Sequence, residues 1–162
     1  MDSENHNCVE TTKYSAEERM RFYPFDTADI IKIVSFDNLG DSAIEHTLPM
    51  KGKEIDFAKI TEVKTLSKDE VRKLTSILYN VTYKGEIFIE SGVGCYNPRN
   101  AILFYDSDGH LLEFIELCFE CTGSRLSSEK ISLGDLCNQK WVYLENFFLT
   151  AGIKIGALRD VR

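Results

Sequence analysis

The chain has 162 residues, a formal net charge of −7 and 43% hydrophobic residues. This length and composition are typical of a single globular domain with a core of its own. The negative charge and the lack of a basic cluster exclude nucleic-acid binding through a general electrostatic footprint. A transmembrane segment is excluded too, because no run approaches the roughly 18 apolar residues of a membrane span.

Residues 1–21 are polar and acidic, and we predict a flexible tail or a short amphipathic helix with Ser15 and Glu18 as a capping box. The globular domain is then expected to comprise residues 22–162. The N-terminus lacks the apolar core of a signal peptide, which predicts a cytoplasmic protein. A truncated N-terminus would instead fit a periplasmic protein or a lipoprotein.

Two strands and a helix are predicted in the first half of the domain. Asp29–Phe36 is a β-branched run typical of a core strand, and Glu54–Lys64 suits a second strand. Ser67 then begins the helix with the strongest signal, because Glu70 completes a capping box with it. The apolar stripe that this helix is expected to bury consists of Val71, Leu74, Leu78 and Val81.

The clearest hairpin follows a short predicted strand at Glu86–Glu90 and joins Ala101–Asp106 to His110–Leu117. Gly109 readily takes the positive φ that a three-residue turn with a bulge needs. Such a turn sets Asp106 opposite His110. Further along the hairpin, the predicted pairs are Ala101 with Ile115, Asn100 with Glu116 and Cys95 roughly level with Cys121.

A polar loop is predicted from Thr122 to Ser132, and a second helix from about Asp135 to Ala151. Asp135 suits the N-cap of this helix, and Gly152 suits its left-handed C-terminal cap. Together the elements predict an α+β fold, mainly an antiparallel sheet of about five strands with two main helices packed on one face.

The cysteines allow three interpretations. Cys118 and Cys121 form a C-x-x-C pair, which can chelate zinc with Cys95 and Cys137 as the candidates for the remaining ligands. The same pair can instead form a reversible disulfide. Buried and unreactive thiols are the favoured interpretation, because free cysteine is among the most buried residue types. The odd number of five cysteines argues against a fully disulfide-bonded scaffold.

Tyr96, Arg99 and Glu116 are the candidate ligand-binding residues at the same end of the hairpin. The guanidinium of Arg99 can hold a carboxylate or phosphate in a bidentate grip. More often such an arginine pairs with a neighbouring acid, here Glu116 or Glu120. The sequence contains neither a nucleophile elbow nor an H-E-x-x-H motif, so an ordinary hydrolase has no support.

The segments CYNPRNAILFYD, IELCFEC and LGDLC, followed by ENFFLTAGI, resemble a group of small uncharacterised bacterial proteins that includes predicted lipoproteins. The resemblance covers about Cys95 to Ile153. It implies no function, because the group has no established activity. The lipoprotein members carry a signal peptide, which this sequence lacks.

We therefore expect a non-enzymatic domain whose cysteine-bearing hairpin end is a structural or ligand-contact site, with another protein as its partner. The alternative is a zinc-binding or thiol-redox protein that acts through Cys95, Cys118 and Cys121. Tightly bound zinc or a depressed thiol pKa would distinguish the second hypothesis from the first.

Overall fold

A computed structural model describes residues 8–37, 47–85 and 96–157. The predicted strand at Glu86–Glu90 and the candidate residue Cys95 lie outside these ranges. The strands are β1 (Cys8–Glu10), β2 (Ile30–Phe36), β3 (Met50–Lys51), β4 (Glu54–Ile55), β5 (Ile60–Thr65), β6 (Val81–Tyr83), β7 (Asn100–Tyr105), β8 (Leu111–Cys118) and β9 (Gly123–Leu126). The α-helices are α1 (Ala16–Arg19), α2 (Lys68–Asn80) and α3 (Asn138–Thr150), and a 3₁₀-helix spans Phe57–Lys59. None of the described helices is long and apolar enough to cross a membrane.

Five of the strands form one antiparallel sheet in the order β5-β2-β7-β8-β9. Two pairs of short strands, β1 with β6 and β3 with β4, stand apart from it. The predicted α+β class and the five-stranded antiparallel sheet are confirmed. Strand β9 was not predicted, because it lies within the segment from Thr122 to Ser132 that the sequence analysis assigned to a polar loop.

The two faces of the sheet are covered differently. One face, here called the helix face, carries Ile33, Ile102 and Ile115 and packs against the apolar sides of α2 and α3. The other face, here called the loop face, carries Val34, Ala101 and Leu103 and is covered in part by the buried side chains of Leu48 and Ile55. Neighbouring residues of one strand alternate between these faces because side chains in a strand point alternately up and down.

The register of the hairpin differs from the prediction because of a bulge. At its tip the backbone N–H of Asp106 donates to His110 as predicted, and Gly109 has φ +83°. The register then shifts between Phe104 and Tyr105, because β8 holds one extra residue there. Ala101 consequently faces Glu116 instead of the predicted Ile115. Directly opposed residues share a face, so this one-residue shift moves Glu116 to the loop face.

The helix α2 begins as predicted. The hydroxyl of Ser67 accepts from the backbone N–H of Glu70 at 3.2 Å, and the Glu70 carboxylate accepts from the N–H of Ser67 at 2.8 Å. The predicted second strand was too long, because Glu54–Lys64 divides into β4, the 3₁₀-helix and β5. Asp56 causes part of this break, since its side chain accepts from the backbone N–H of Ala58 and caps the 3₁₀-helix.

Helix α3 begins later than predicted. Its N-cap is Cys137 and not Asp135, and the Cys137 side chain makes no capping hydrogen bond. The Asp135 carboxylate instead accepts a hydrogen bond from the hydroxyl of Thr82 in β6. The helix ends as predicted, with Gly152 following the cap residue at φ +97°.

Residues 8–21, which the sequence placed in a tail or a short amphipathic helix, form β1 and α1. Helix α1 has the predicted capping box between Ser15 and Glu18. The buried guanidinium of Arg19 donates to the hydroxyl of Thr75 and to the carbonyl oxygen of Arg72 in α2. The segment is therefore joined to the helix layer through directed hydrogen bonds.

Candidate functional site at the end of the β8–β9 hairpin

The turn between β8 and β9 is closed by a disulfide bond. Cys118 ends β8 opposite Gly123, and it is bonded to Cys121 within the turn, with the two Cα atoms 5.5 Å apart. Thr122 completes the turn in the left-handed region at φ +49°. Phe119 points into the core of the helix face, where its ring centroid lies 5.2 Å from that of Phe148. The turn is therefore held both by a covalent bond and by a buried aromatic ring.

The two cysteine residues of this disulfide differ in exposure. Cys118 is 2% exposed, whereas Cys121 is half-buried. The carbonyl oxygen of Asn97 lies 3.3 Å from the Cys118 sulfur, and the carbonyl oxygen of Cys118 lies 3.8 Å from the Cys121 sulfur. A reagent from solvent thus meets Cys121 first.

Glu116 is fully buried on the loop face, at 0% exposure. Its carboxylate accepts four hydrogen bonds from three residues. Arg125 donates from Nε and Nη2 at 3.0 Å each, the Tyr96 hydroxyl donates at 3.0 Å and the backbone N–H of Leu48 at 2.6 Å. Each carboxylate oxygen receives two of these bonds, so the group is saturated by the protein itself. Glu116 therefore links β8 to the neighbouring strand β9 and to two loop segments.

Tyr96 combines exposure with a fixed position. The residue is 39% exposed. A Cβ atom added to Gly123 would lie 3.2 Å from two of its ring carbons, so the ring rests on the backbone of β9. Burial and the charge of Glu116 raise the pKa of the Tyr96 hydroxyl above its usual value, which keeps the group a neutral donor.

Arg99 lies beside the disulfide and pairs with the residue between the two cysteines. Its Nη2 atom is 3.2 Å from a carboxylate oxygen of Glu120. Of the two acids considered from the sequence, its partner is thus Glu120 and not Glu116. This ion pair links the start of β7 to the turn between β8 and β9.

Cys137, the fourth candidate ligand for an all-cysteine zinc site, is bonded to Cys8 across 129 positions of sequence, with the Cα atoms 5.4 Å apart. It therefore has a different bonding partner from Cys118 and Cys121. A disulfide offers no thiolate, and thiolate is the form of cysteine that binds zinc. The four cysteines that the structure describes are thus paired in two disulfides.

Arg125 is a site residue that the sequence reasoning missed. It lies opposite Glu116 on β9 and its guanidinium is also stacked 4.9 Å from the ring centroid of Phe114. The signal that would have found it is the turn sequence before Gly123, since an antiparallel pairing across that turn sets Arg125 opposite Glu116.

A second group of titratable residues, Asp106, Asp108 and His110, lies at the exposed tip of the β7–β8 hairpin. Asp106 accepts from the backbone N–H groups of Asp108 and His110 at 2.9 Å each. These hydrogen bonds, the one from His110 first, lower the pKa of the Asp106 carboxyl. The carboxylate accounts for the shape of the turn.

No family model matches the chain, and no curated protein or solved structure is significantly similar to it.

Proposed function

We propose that the protein is a non-enzymatic domain that binds another protein through the hairpin-end surface, which we define as Tyr96, Arg99, Glu120, Cys121 and Arg125. The observation that carries this proposal is the fixed but exposed ring of Tyr96. Tyrosine and arginine are enriched among the residues that dominate binding energy at protein interfaces. A ring that is already held in place loses little conformational entropy when a partner covers it.

The acid–base groups near this surface favour binding over catalysis. Glu116 accepts four internal hydrogen bonds and has no acceptor position left for a substrate. The raised pKa of Tyr96 makes its hydroxyl a poor proton donor or acceptor near neutral pH. Both groups therefore support the shape of the surface.

The net charge indicates the kind of partner, and the disulfides indicate the compartment in which the protein functions. A charge of −7 attracts a basic protein at long range and repels nucleic acid. Two disulfides persist best in an oxidising compartment. Between the two locations considered from the sequence, we therefore favour the periplasm or another oxidising compartment over the cytoplasm.

The test is site-specific photo-crosslinking in the source cells, with a benzophenone amino acid in place of Glu120 or, as the control, Val142. Val142 is 41% exposed but lies on α3, in the layer that covers the helix face. We expect one discrete protein adduct at position 120 and none at position 142. Equal adducts at both positions, or none at 120, would contradict the proposal.

The yield of the same crosslinked adduct then tests the contribution of Tyr96 to binding. Replacing the ring with Tyr96→Ala should lower the adduct yield and the affinity for the purified partner by at least about tenfold. Tyr96→Phe keeps the ring and loses the bond to Glu116, so its effect should be smaller. Circular dichroism of both variants establishes that they are folded.

A second candidate is a thiol-redox or zinc-binding protein acting through Cys95, Cys118 and Cys121. The half-buried position of the residue Cys121 favours the redox protein over the zinc-binding one. Equilibration in glutathione buffers followed by a thiol count tests the redox protein. Native mass spectrometry with added zinc tests the zinc-binding protein. A disulfide that resists every buffer and a reduced protein that takes up no zinc would exclude this candidate.

A further inference from the structure

We propose that the Cys118–Cys121 disulfide is a reducible switch of the hairpin-end surface, opened when the thiolate of an external dithiol attacks the sulfur of Cys121. This inference rests on the proposed function, because it concerns the regulation of the same surface. Four features of the described residues carry it.

The first feature is the direction of attack. A thiolate must approach one sulfur of a disulfide along a path that the protein leaves open. Cys118 is buried at the end of β8, whereas Cys121 is half-buried in the turn. Exposure therefore selects Cys121 as the attacked sulfur and Cys118 as the leaving group.

The reaction balances with one external dithiol. Its first thiolate forms a bond to the Cys121 sulfur, the bond between the cysteines breaks, and the electron pair leaves on Cys118, which takes a proton from solvent. The second thiol of the reagent, as its thiolate, then attacks the reagent's own sulfur in the mixed disulfide and releases Cys121. The reagent ends as a disulfide, and Cys118 and Cys121 end as two thiols.

The second feature is that the thiol products have acceptors in place. The carbonyl oxygens of Asn97 and Cys118 lie 3.3 and 3.8 Å from the sulfurs of Cys118 and Cys121, respectively, in directions that suit donation by a thiol. Reduction therefore leaves neither sulfur without a hydrogen-bond acceptor.

The third feature is that the fold does not depend on this bond. The disulfide joins residues only three positions apart, whereas Cys8–Cys137 spans 129. A short loop removes much less conformational entropy from the unfolded chain. Phe119 remains buried against Trp141 and Phe148 and keeps the turn attached to the core after reduction.

The fourth feature is the link from the sulfurs to the surface. Glu120 lies between the two cysteines and pairs with Arg99. A Cβ atom at Gly123 would lie 3.5 Å from the Cys121 sulfur and 3.2 Å from the Tyr96 ring. The sulfur and the ring therefore both lie next to the backbone of Gly123. Opening the disulfide removes one of the two restraints on the turn that holds Glu120 and borders Tyr96, while the buried ring of Phe119 remains as the other.

The chemistry is tested without any partner, in full-length protein carrying Cys95→Ser to exclude other pairings. Dithiothreitol is titrated, free thiols are alkylated and the peptides are identified by mass spectrometry. We expect alkylation of Cys118 and Cys121 at concentrations that leave Cys8–Cys137 intact. Simultaneous reduction of both disulfides, or earlier reduction of Cys8–Cys137, would overturn the proposal.

The choice of Cys121 over Cys118 as the attacked sulfur is tested with oxidised glutathione on two single variants. Cys118→Ser leaves the Cys121 thiol, which should react at least about tenfold faster than the Cys118 thiol left by Cys121→Ser, because the latter is buried. Equal rates, or a faster Cys118, would contradict the assignment. Circular dichroism and an intact Cys8–Cys137 bond establish that both variants are folded.

The coupling is tested by the affinity of the partner identified through the photo-crosslink, measured on protein with Glu120 in place before and after selective reduction. We expect reduction to lower the affinity, and an unchanged affinity would overturn the switch. If no partner is crosslinked at position 120, the proposed binding function fails while the thiol chemistry is still decided by the alkylation experiment. The two failures are therefore distinguishable.

Discussion

At the scale of single residues, the molecule buries several ionisable side chains, and it surrounds Glu116 and Lys140 with hydrogen-bond partners. Glu116 is the clearest case, because a buried carboxylate is costly unless its lone pairs are satisfied. Arg125 supplies charge and two parallel hydrogen bonds, and the N–H of Leu48 and the hydroxyl of Tyr96 complete the set. The carboxylate is thus a structural centre of the loop face.

Glu116→Gln should therefore lower the free energy of unfolding by about 3 kcal/mol, since it removes the charge and turns an amide N–H₂ toward existing donors. Urea denaturation at neutral pH measures this change. Glu120→Gln is the matched control, because its ion pair with Arg99 is partly exposed and should be worth less than about 1 kcal/mol. Equal losses in the two variants would contradict the assignment of Glu116 as a structural centre.

Lys140 is a second buried charge, and its ammonium donates to the carbonyl oxygens of Leu78 and Leu133 at 2.6 and 3.1 Å. Burial lowers the pKa of Lys140 to about 8, against the opposing effect of Asp135. The unfolded state then binds more protons than the folded state between this pKa and the ordinary value of 10.5, so stability rises with pH across that window.

Lys140→Met should remove this increase. The free energy of unfolding of the wild type minus that of the variant is expected to rise between about pH 7.5 and about pH 9.5. Guanidinium titrations at both pH values measure this difference. Groups that titrate alike in the two proteins contribute equally to both free energies, so their contributions cancel. A difference that stays constant would show that Lys140 is fully protonated throughout.

At the scale of elements, the two long helices begin in different ways. Helix α2 has a complete capping box at Ser67, whereas α3 begins at Cys137 with no side-chain cap and is held by a disulfide to Cys8. A capping box satisfies N–H groups that the first turn leaves unpaired. Helix α3 instead depends on tertiary contacts for its position.

Ser67→Ala should therefore cost about 1 kcal/mol of stability, the usual effect of removing an N-cap acceptor. Ser67→Asp retains an acceptor and adds a negative charge at the helix N-terminus, so its stability should stay within a few tenths of a kcal/mol. The denaturation midpoint at unchanged slope measures both. If the two variants lose the same stability, the cap contributes nothing.

At the scale of the whole molecule, one disulfide joins the first described residue to the N-cap of α3, and the other closes a local turn. Cys8–Cys137 connects the region of β1 to the start of α3, which lie 129 positions apart in the sequence. In the chain-entropy account, a loop of this length stabilises the fold by about 5 kcal/mol, and a four-residue loop by about 2 kcal/mol.

The paired variant Cys8→Ser/Cys137→Ser should accordingly lower the thermal midpoint much more than Cys118→Ser/Cys121→Ser. Both are compared in a Cys95→Ser background by differential scanning calorimetry. The order is expected because the longer loop restricts the unfolded chain more strongly. A reversed order would indicate that Cys118–Cys121 is the main structural bond and would count against its role as a switch.

The sequence by itself determined the elements whose signals are local. The capping box of Ser67 and Glu70, the turn at Gly109 and the C-terminal cap at Gly152 all involve backbone groups within about four residues of one another. The β-branched run of β2 likewise requires no distant partner to be recognised. These signals were sufficient for the α+β class and for the antiparallel sheet.

The sequence placed Tyr96, Arg99 and Glu116 at one end of the hairpin, and only the tertiary structure decided which partners these residues have. The bulge in β8 moved Glu116 to the loop face, and strand order then brought Arg125, Tyr96 and the N–H of Leu48 to its carboxylate. The bond between Cys8 and Cys137 likewise depends on how β1 and α3 pack. Such contacts follow from register and packing across long separations in the chain, where a one-residue shift reverses the face of every side chain.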